Sequence, residues 1–468
     1  MLSKRMADGV GFSFIVEKLE CFSYYGDEKI REIKAAFLDS VTLQNFQNSI
    51  NLTSCHQNIS LLMELFPHQV AEIQDLLSNF KNIRGTIKKL EHSCLSQVEF
   101  FEIKRFLLGL EKLIDFWDKT KIDLVEIRFT KMTDALNILD SKKQRIAVFS
   151  VYDDDFPALR AVRHKKAQIE AAIDKQGMTD ELIKKRAEIV KEEDKLEQIA
   201  LNNLTDKLRP FMPNFLANME NIGMLDFALA KTVLAKQTGA TRPKISPGTM
   251  RLVNMWNPKT QTEHEKKGKA FTKTSIELEP GATVLIGANM GGKSLTIKTV
   301  LLNVLLANMG FFVYAIMAEI PLFDDIFFIE EGMGNDFLSS FGAEIMQINE
   351  VVKSLLGNKL FIALDEPART TNPAEGTKIV RGIVSFLARH ESTSVISTHY
   401  DNVQENAQAV YQTASFSHDG IRSANTENLA NYIKFELRKV SKGAAIPTEA
   451  IRLCKIFGMN PALLAEID

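Results

Sequence analysis

Gly287-Ala288-Asn289-Met290-Gly291-Gly292-Lys293-Ser294 decides how the second half of this chain is read. The residues before it, 283–286, form a short apolar run that reads as a buried strand, and the residues after it turn to helical spacing. A strand, a glycine-rich turn ending in Gly-Lys-Ser, and a helix together make a phosphate cradle. The glycines let backbone N–H groups converge on phosphate oxygens without obstruction from a Cβ. The helix aims its positive end at the same anion. Lys293 would reach the β- and γ-phosphates of ATP, and Ser294 would ligate Mg²⁺. Gly287 and Gly292 supply the turns of the loop. An ATP-binding, ATP-hydrolysing P-loop protein is the expectation.

Downstream of the loop the pattern alternates between strand and helix. Residues 311–315, 360–364 and 394–397 are apolar runs expected as further strands. Helices fit between them, so a mainly parallel sheet covered on both faces is expected. Two of these runs end in chemistry. Asp365-Glu366 follows the run 360–364, where an acid at a strand's C-terminal end can hold the Mg²⁺ shell and its neighbour can orient or deprotonate water. Ser397-Thr398-His399-Tyr400 ends the run 394–397, where His399 can sense the γ-phosphate. The nearly unbroken apolar stretch 300–318 is long enough to span a bilayer. It contains Asn303, Asn308 and Gly310 and follows a loop that must face water, so it reads as a buried helix and strand, with no membrane partner.

Upstream of the loop, apolar residues recur at helical spacing from Phe37 to Ile114, as in Leu61, Leu62, Leu65 and Phe66. Asp153-Asp154-Asp155-Phe156-Pro157 marks the start of a helix over 157–175, with the acids expected to cap its free N–H groups. Gln176-Gly177 breaks it and Thr179-Asp180 begins a charged return helix, giving a long antiparallel pair. Helical pattern resumes over 201–208, is interrupted by Pro210 and Pro213, and continues to about Lys236. A Gly- and Pro-rich stretch over 239–248 marks a boundary. The expected architecture is therefore multidomain: an all-α region over 1–240, then an α/β P-loop domain over 241–468.

Composition narrows the partners. The 468 residues are 45% hydrophobic and 25% charged, with a formal net charge of −2, so bulk charge does not call for nucleic acid. Cys21, Cys55, Cys94 and Cys454 are scattered, which argues against a zinc site or disulfide framework and fits a reducing, cytoplasmic setting. No signal peptide is read in the first residues.

These elements together resemble the MutS family. Asn289-Met290-Gly291-Gly292-Lys293-Ser294 is the most specific part. Residues 306–313 look like the family's next helix and strand, Ser339-Ser340-Phe341-Gly342-Ala343-Glu344-Ile345 like its signature segment, and Asp365-Glu366 and Thr398-His399-Tyr400 like its acid pair and switch histidine. The likeness runs over most of 242–468, and the helical first half is compatible with the family's core and levers. It implies a dimer, of two copies or with a related subunit, in which Ser339 approaches the partner's nucleotide. It also puts Phe271 where an aromatic packs on adenine, although Thr272-Lys273-Thr274 departs from the family pattern.

Other departures bear on the client. The chain is much shorter than a mismatch-repair MutS and leaves little room for mismatch-recognition and connector domains. The helical pair turns with almost no clamp inserted, and no nuclease tail follows Asp468. Phe100-Phe101-Glu102 mimics the family's mismatch wedge but lies in a helical run over 97–110 that looks like core. Thr371-Asn372-Pro373-Ala374-Glu375-Gly376 and Ile446-Pro447-Thr448-Glu449-Ala450 resemble the MutS-related ATPases associated with adenosylcobalamin-dependent lysine and ornithine aminomutases. The expected function is thus an ATP-driven dimer that reactivates such an enzyme. The alternative is a DNA-binding repair ATPase, for which Arg160, Arg163, His164, Lys165 and Lys166 would be the phosphate contacts. A chromosome-associated ATPase would need longer levers than these.

Overall fold

The structure, a computed structural model, describes residues 2–39, 41–48, 50–268, 271–287, 292–330, 340–413, 436–444 and 454–467. Helices dominate, with two sheets in the C-terminal half. By contact the chain divides into two compact units. One comprises Met1–Leu19, Glu32–Ser60 and Lys231–Asp468, and the other Glu20–Arg31 and Leu61–Ala230. The division expected at residue 240 follows chain order. The contact division does not, since it groups residues 1–19 and 32–60 with the C-terminal segment.

The unit built on Leu61–Ala230 is all helix among its described elements. Its core stacks aromatic residues from distant helices: Phe80 meets Phe106 edge-on at 5.4 Å, and Phe106 meets Phe215 at 5.9 Å. Phe100 is fully buried on the helix Gln97–Thr120, as its apolar periodicity expects. On the same helix Lys104 is fully buried, with Nζ 3.2 Å from the Asp140 carboxylate and 2.9 Å from the Val148 carbonyl. The expected antiparallel pair is present as helices Pro157–Gln176 and Asp180–Leu208. Thr179 caps the second helix by accepting the Leu182 N–H, and Gly177 ends the first at φ 82°. The second helix runs unbroken through 208, and a 3₁₀ turn, Arg209–Phe211, absorbs Pro210.

The three acids before the first of these helices do not cap it. The cap residue is Phe156, which offers no side-chain acceptor. Asp153 instead pairs with Arg163, Asp154 with Lys142 and Arg160, and Asp155 accepts from the Ser141 hydroxyl. Solvated cations within reach compete for a carboxylate better than the backbone does here. Arg163 also pairs with Glu193 and Glu197, and Lys166 with Glu193. Much of the basic cluster is thereby neutralised within its own hairpin.

Among the described residues, the other unit carries ten strands in two sheets: β1 Lys244–Ile245, β2 Met250–Met255, β3 Thr274–Leu278, β4 Gly281–Ile286, β5 Met317–Ile320, β6 Asp325–Glu330, β7 Leu360–Asp365, β8 Thr393–Ser397, β9 Ala409–Thr413 and β10 Leu437–Val440. The larger sheet has the order β10-β9-β4-β8-β7-β6 and is parallel except for its β10 edge. β4, β7 and β8 are buried along their whole length, which suits the apolar runs 284–286 and 360–364. The smaller sheet, β1-β5-β2-β3, is mostly antiparallel.

The strand expected over 311–315 is not one. Its residues are buried, but their hydrogen bonds scatter. Val313 bridges Thr241 alone, Tyr314 N–H donates to the Asn303 side chain, and Tyr314 C=O accepts from Trp256. The strand is β5, a few residues on, where Ile316 and Met317 are exposed and continuous apolarity fails. The helix Lys293–Asn308 is almost wholly buried, and its asparagines serve as internal latches. Asn308 donates to the Val304 and Pro321 carbonyls and accepts the Phe323 N–H. Among the described residues no helix is long and apolar enough to cross a membrane.

Candidate active site

The site grows from the C-terminal ends of neighbouring parallel strands. β4 runs into the glycine loop, and the helix Lys293–Asn308 leaves it. Gly287 has φ 146°, and a Cβ there would lie 2.2 Å from the Thr413 hydroxyl, so only glycine fits. Gly292 stands before the helix in the left-handed region at φ 86°. No acid occupies the first helical turn, which leaves its positive end unopposed by local carboxylates. Asn289, Met290, Gly291 and Ser339 lie outside the described residues, as does the stretch 446–450.

Lys293 is buried, 3% exposed, with Nζ 2.8 Å from the Gly287 carbonyl and 3.2 Å from Glu366 Oε1. Asp365 is the last residue of β7. Strand register sets it opposite Glu330 on one side and Ser397 on the other. The Ser397 hydroxyl donates to Asp365 Oδ1 at 2.6 Å and accepts the Glu366 N–H at 2.9 Å. Arg369 reaches Glu366 Oε2 at 3.3 Å, and His399 Nδ1 lies 3.9 Å from the same oxygen. Burial lowers the His399 pKa below the ordinary histidine value, Lys293 and Arg369 push it the same way, and Glu366 opposes them. His399 is therefore neutral at pH 7 and offers the carboxylate a dipole in place of a full charge.

The backbone that presents Glu366 is bent into an unusual turn. Glu366 has φ 51° and Ala368 φ 59°, both in the left-handed region that non-glycine residues rarely enter. Three contacts hold it: the Ser397 hydroxyl on Glu366 N–H, a Glu344 carboxylate oxygen 2.8 Å from Ala368 N, and the Tyr400 hydroxyl donating to Ala368 C=O at 2.8 Å. Gly376 makes room for Tyr400, since a Cβ there would come within 2.4 Å of that hydroxyl. Asn372 caps the helix Pro373–Leu387 by accepting the Ala374 N–H, with proline at the first helical position. The Thr371-Asn372-Pro373-Ala374-Glu375-Gly376 stretch thus has local structural work to do.

The structure brings Gly287, Gly292, Lys293, Asp365, Glu366 and His399 together. Ser294 sits half-buried in the first turn of the helix. Phe271 lines a cavity with Met255, Gly292, Leu295, Thr296 and Leu437, beside the helix start, and meets His264 edge-on at 5.8 Å. Among the described residues no cluster of three or more His, Cys, Asp or Glu side chains could hold a metal ion. Asp365 keeps one carboxylate oxygen beyond its bond to Ser397. With the Ser294 hydroxyl, that donor set suits a Mg²⁺ whose other ligands are phosphate oxygens and water. Reading the sequence did not single out Ser397, Arg369 or Glu344 as site residues. Ser397 and Glu344 act across strands or elements, where no local spacing announces them, and Arg369 lies three residues after Glu366.

Residues 283–466 match the family model for MutS domain V. Endonuclease MutS2 of Ligilactobacillus salivarius is 29% identical over 223 residues, 47% of this chain and 28% of that protein. Endonuclease MutS2 of Leuconostoc mesenteroides is 24% identical over 389 residues, 80% of this chain and 46% of that protein. DNA mismatch repair protein MutS of Phocaeicola vulgatus is 25% identical over 302 residues, 62% of this chain and 34% of that protein. In each case the match spans less than half of the relative's length. Over residues 283–466 the chain is similar to MutS domain V.

Proposed function

We propose that this chain binds and hydrolyses ATP at the site formed by Lys293, Asp365, Glu366 and His399. The observation that carries the reading is the Glu366 carboxylate, set between the Lys293 ammonium and the His399 ring at the ends of β7 and β8. Lys293 would exchange Gly287 C=O and Glu366 for phosphate oxygens when nucleotide enters the loop. Glu366, released from that contact, would orient or deprotonate the attacking water. Ser294 and Asp365 would hold Mg²⁺, which neutralises phosphate charge when bound. Phe271 would pack against adenine from its cavity.

Lys293→Ala is expected to abolish nucleotide binding. Glu366→Gln is expected to keep binding and lose about a hundredfold or more in turnover. Wild-type hydrolysis rates in both variants would remove this assignment.

For the client, the comparisons favour DNA over a cobalamin-dependent aminomutase. The relatives carry the names endonuclease MutS2 and DNA mismatch repair protein MutS. The basic cluster on the hairpin contributes little to a DNA reading, because Arg160, Arg163 and Lys166 are already paired with acids. A dimer with facing ATPase sites belongs to the same proposal. ATPase rates with mismatched duplex, branched DNA and inactivated aminomutase separate the clients. Stimulation by the aminomutase alone would overturn the DNA reading, and DNA binding through phosphates should weaken steeply with salt.

A further inference from the structure

The direction of the Glu366 carboxylate is set by the turn that carries it, and that turn is costly to hold. Pro367 restricts the residue before it to extended backbone, yet Glu366 sits at φ 51°, followed by Ala368 at φ 59°. Such a conformation persists only where its surroundings over-determine it. Two of the holding groups, Ser397 and Tyr400, come from β8 and the residues that follow it. The third comes from a different element. Glu344 lies in the second turn of the helix Ser340–Ser354, and its Oε1 accepts the N–H of Ala368 at 2.8 Å. Ala368 is 1% exposed, so water is poorly placed to substitute for that acceptor. Beyond the turn, Glu344 and Glu366 both help to raise the Tyr400 pKa, after burial, which places the two carboxylates around one phenol.

We infer that Glu344 is a positioning residue for Glu366. Its carboxylate fixes Ala368, and through the 366–368 turn it sets the direction of the Glu366 side chain toward Lys293 and His399. The helix Ser340–Ser354 is thereby mechanically tied to the hydrolytic carboxylate. A shift of that helix changes how well Glu366 can act while leaving the phosphate loop in place. The inference rests on the assignment of Glu366 proposed above.

The test is steady-state ATP hydrolysis by the full chain carrying Glu344→Ala, Glu344→Gln or, in parallel, Glu366→Gln. Glu344→Ala is expected to lower kcat by about ten- to a hundredfold with KM for ATP changed less than about threefold, because the lost contact orients a base and touches no nucleotide. Glu344→Gln keeps an oxygen that can accept from Ala368 and is expected to recover most of the loss. A wild-type kcat in Glu344→Ala, a KM that rises in step with the kcat loss, or a Glu344→Gln as impaired as Glu344→Ala would overturn the inference. If Glu344→Ala fails to fold, Glu344→Asp carries the test. Its shorter arm withdraws the oxygen and should give the same kcat loss, and wild-type turnover there overturns the idea. An inert Glu366→Gln beside a fully active Glu344→Ala removes this inference alone. A fully active Glu366→Gln removes the assignment of Glu366 and the inference with it.

Discussion

The Ser397 hydroxyl donates to Asp365 Oδ1 across 2.6 Å. Ser397 Oγ also accepts the N–H of Glu366, so one buried hydroxyl on β8 fixes both acids at the end of β7. A hydroxyl can donate once and accept at the same time, which a methyl group cannot replace.

Ser397→Ala should therefore act on both acids together. It leaves a buried carboxylate oxygen and a backbone N–H without their partner, at a cost of about 1–3 kcal/mol. Denaturant unfolding measures that loss, and ATP turnover should fall with it. A variant that is destabilised yet hydrolyses ATP at the wild-type rate would show that the bridge serves folding only.

His56 gives the protein a pH dependence away from the site. It is 2% exposed and its Nε2–H donates to the Phe311 carbonyl at 3.1 Å. Burial lowers its pKa to about 4, with Lys231 contributing. The unfolded chain binds this proton near the ordinary value of about 6.5 and the folded chain does not, so stability is complete above about 6.5 and declines as pH falls toward 4. The decline amounts to about 3 kcal/mol. Unfolding midpoints measured from pH 7 to pH 4 should show a shallower slope in His56→Gln, and identical slopes would sink this attribution.

Lys104 forms a buried ion pair with Asp140, and its removal should be severe. Lys104→Met strips one partner from Asp140, whose side chain is fully buried, and an uncompensated buried charge costs about 3 kcal/mol or more. Arg145 still reaches Asp140 at 3.3 Å and should soften the loss. Pairing Lys104→Met with Asp140→Asn should recover part of the stability, as a double-mutant cycle by denaturation would read.

Phe100 tests the nature of the Phe100-Phe101-Glu102 stretch. Phe100 is fully buried and stacks on Phe149 at 5.0 Å. Phe100→Ala should cost about 3–5 kcal/mol as a core cavity. A folded, undiminished Phe100→Ala that had lost only its preference for mismatched over matched duplex would restore the wedge reading.

Much of this molecule was legible because its signals are local. A proline and a glycine bracket the helix Pro157–Gln176, Thr179 caps the next, and the runs over 283–286, 360–364 and 394–397 are strands because both their faces are covered. The same logic failed at 311–315, where burial without a ladder looks like a strand in sequence. It failed at Asp153 and Asp154, where cations from the hairpin and the loop before it outcompeted the helix N-terminus, and at Asp155, which the Ser141 hydroxyl engages. The four-stranded sheet escaped notice because β1, β2, β3 and β5 are partly exposed, and β5 joins them from beyond the phosphate loop. Within the site, Lys293, Asp365 and Glu366 follow from motif spacing, while Ser397 and Glu344 depend on which strands and helices become neighbours.

The parallel register has a consequence for how this site tolerates insertions and deletions. Glu330, Asp365 and Ser397 stand side by side only because β6, β7 and β8 end level with one another. With the start of the strand held, removing one residue inside β7 would set Glu366 beside Ser397 and turn the side chains beyond the deletion to opposite faces. The connection before β8, residues 388–392, can change length without altering which residues meet at the strand ends. Length variation in this chain should therefore be accepted in the links at the strands' entry side and refused within the strands themselves.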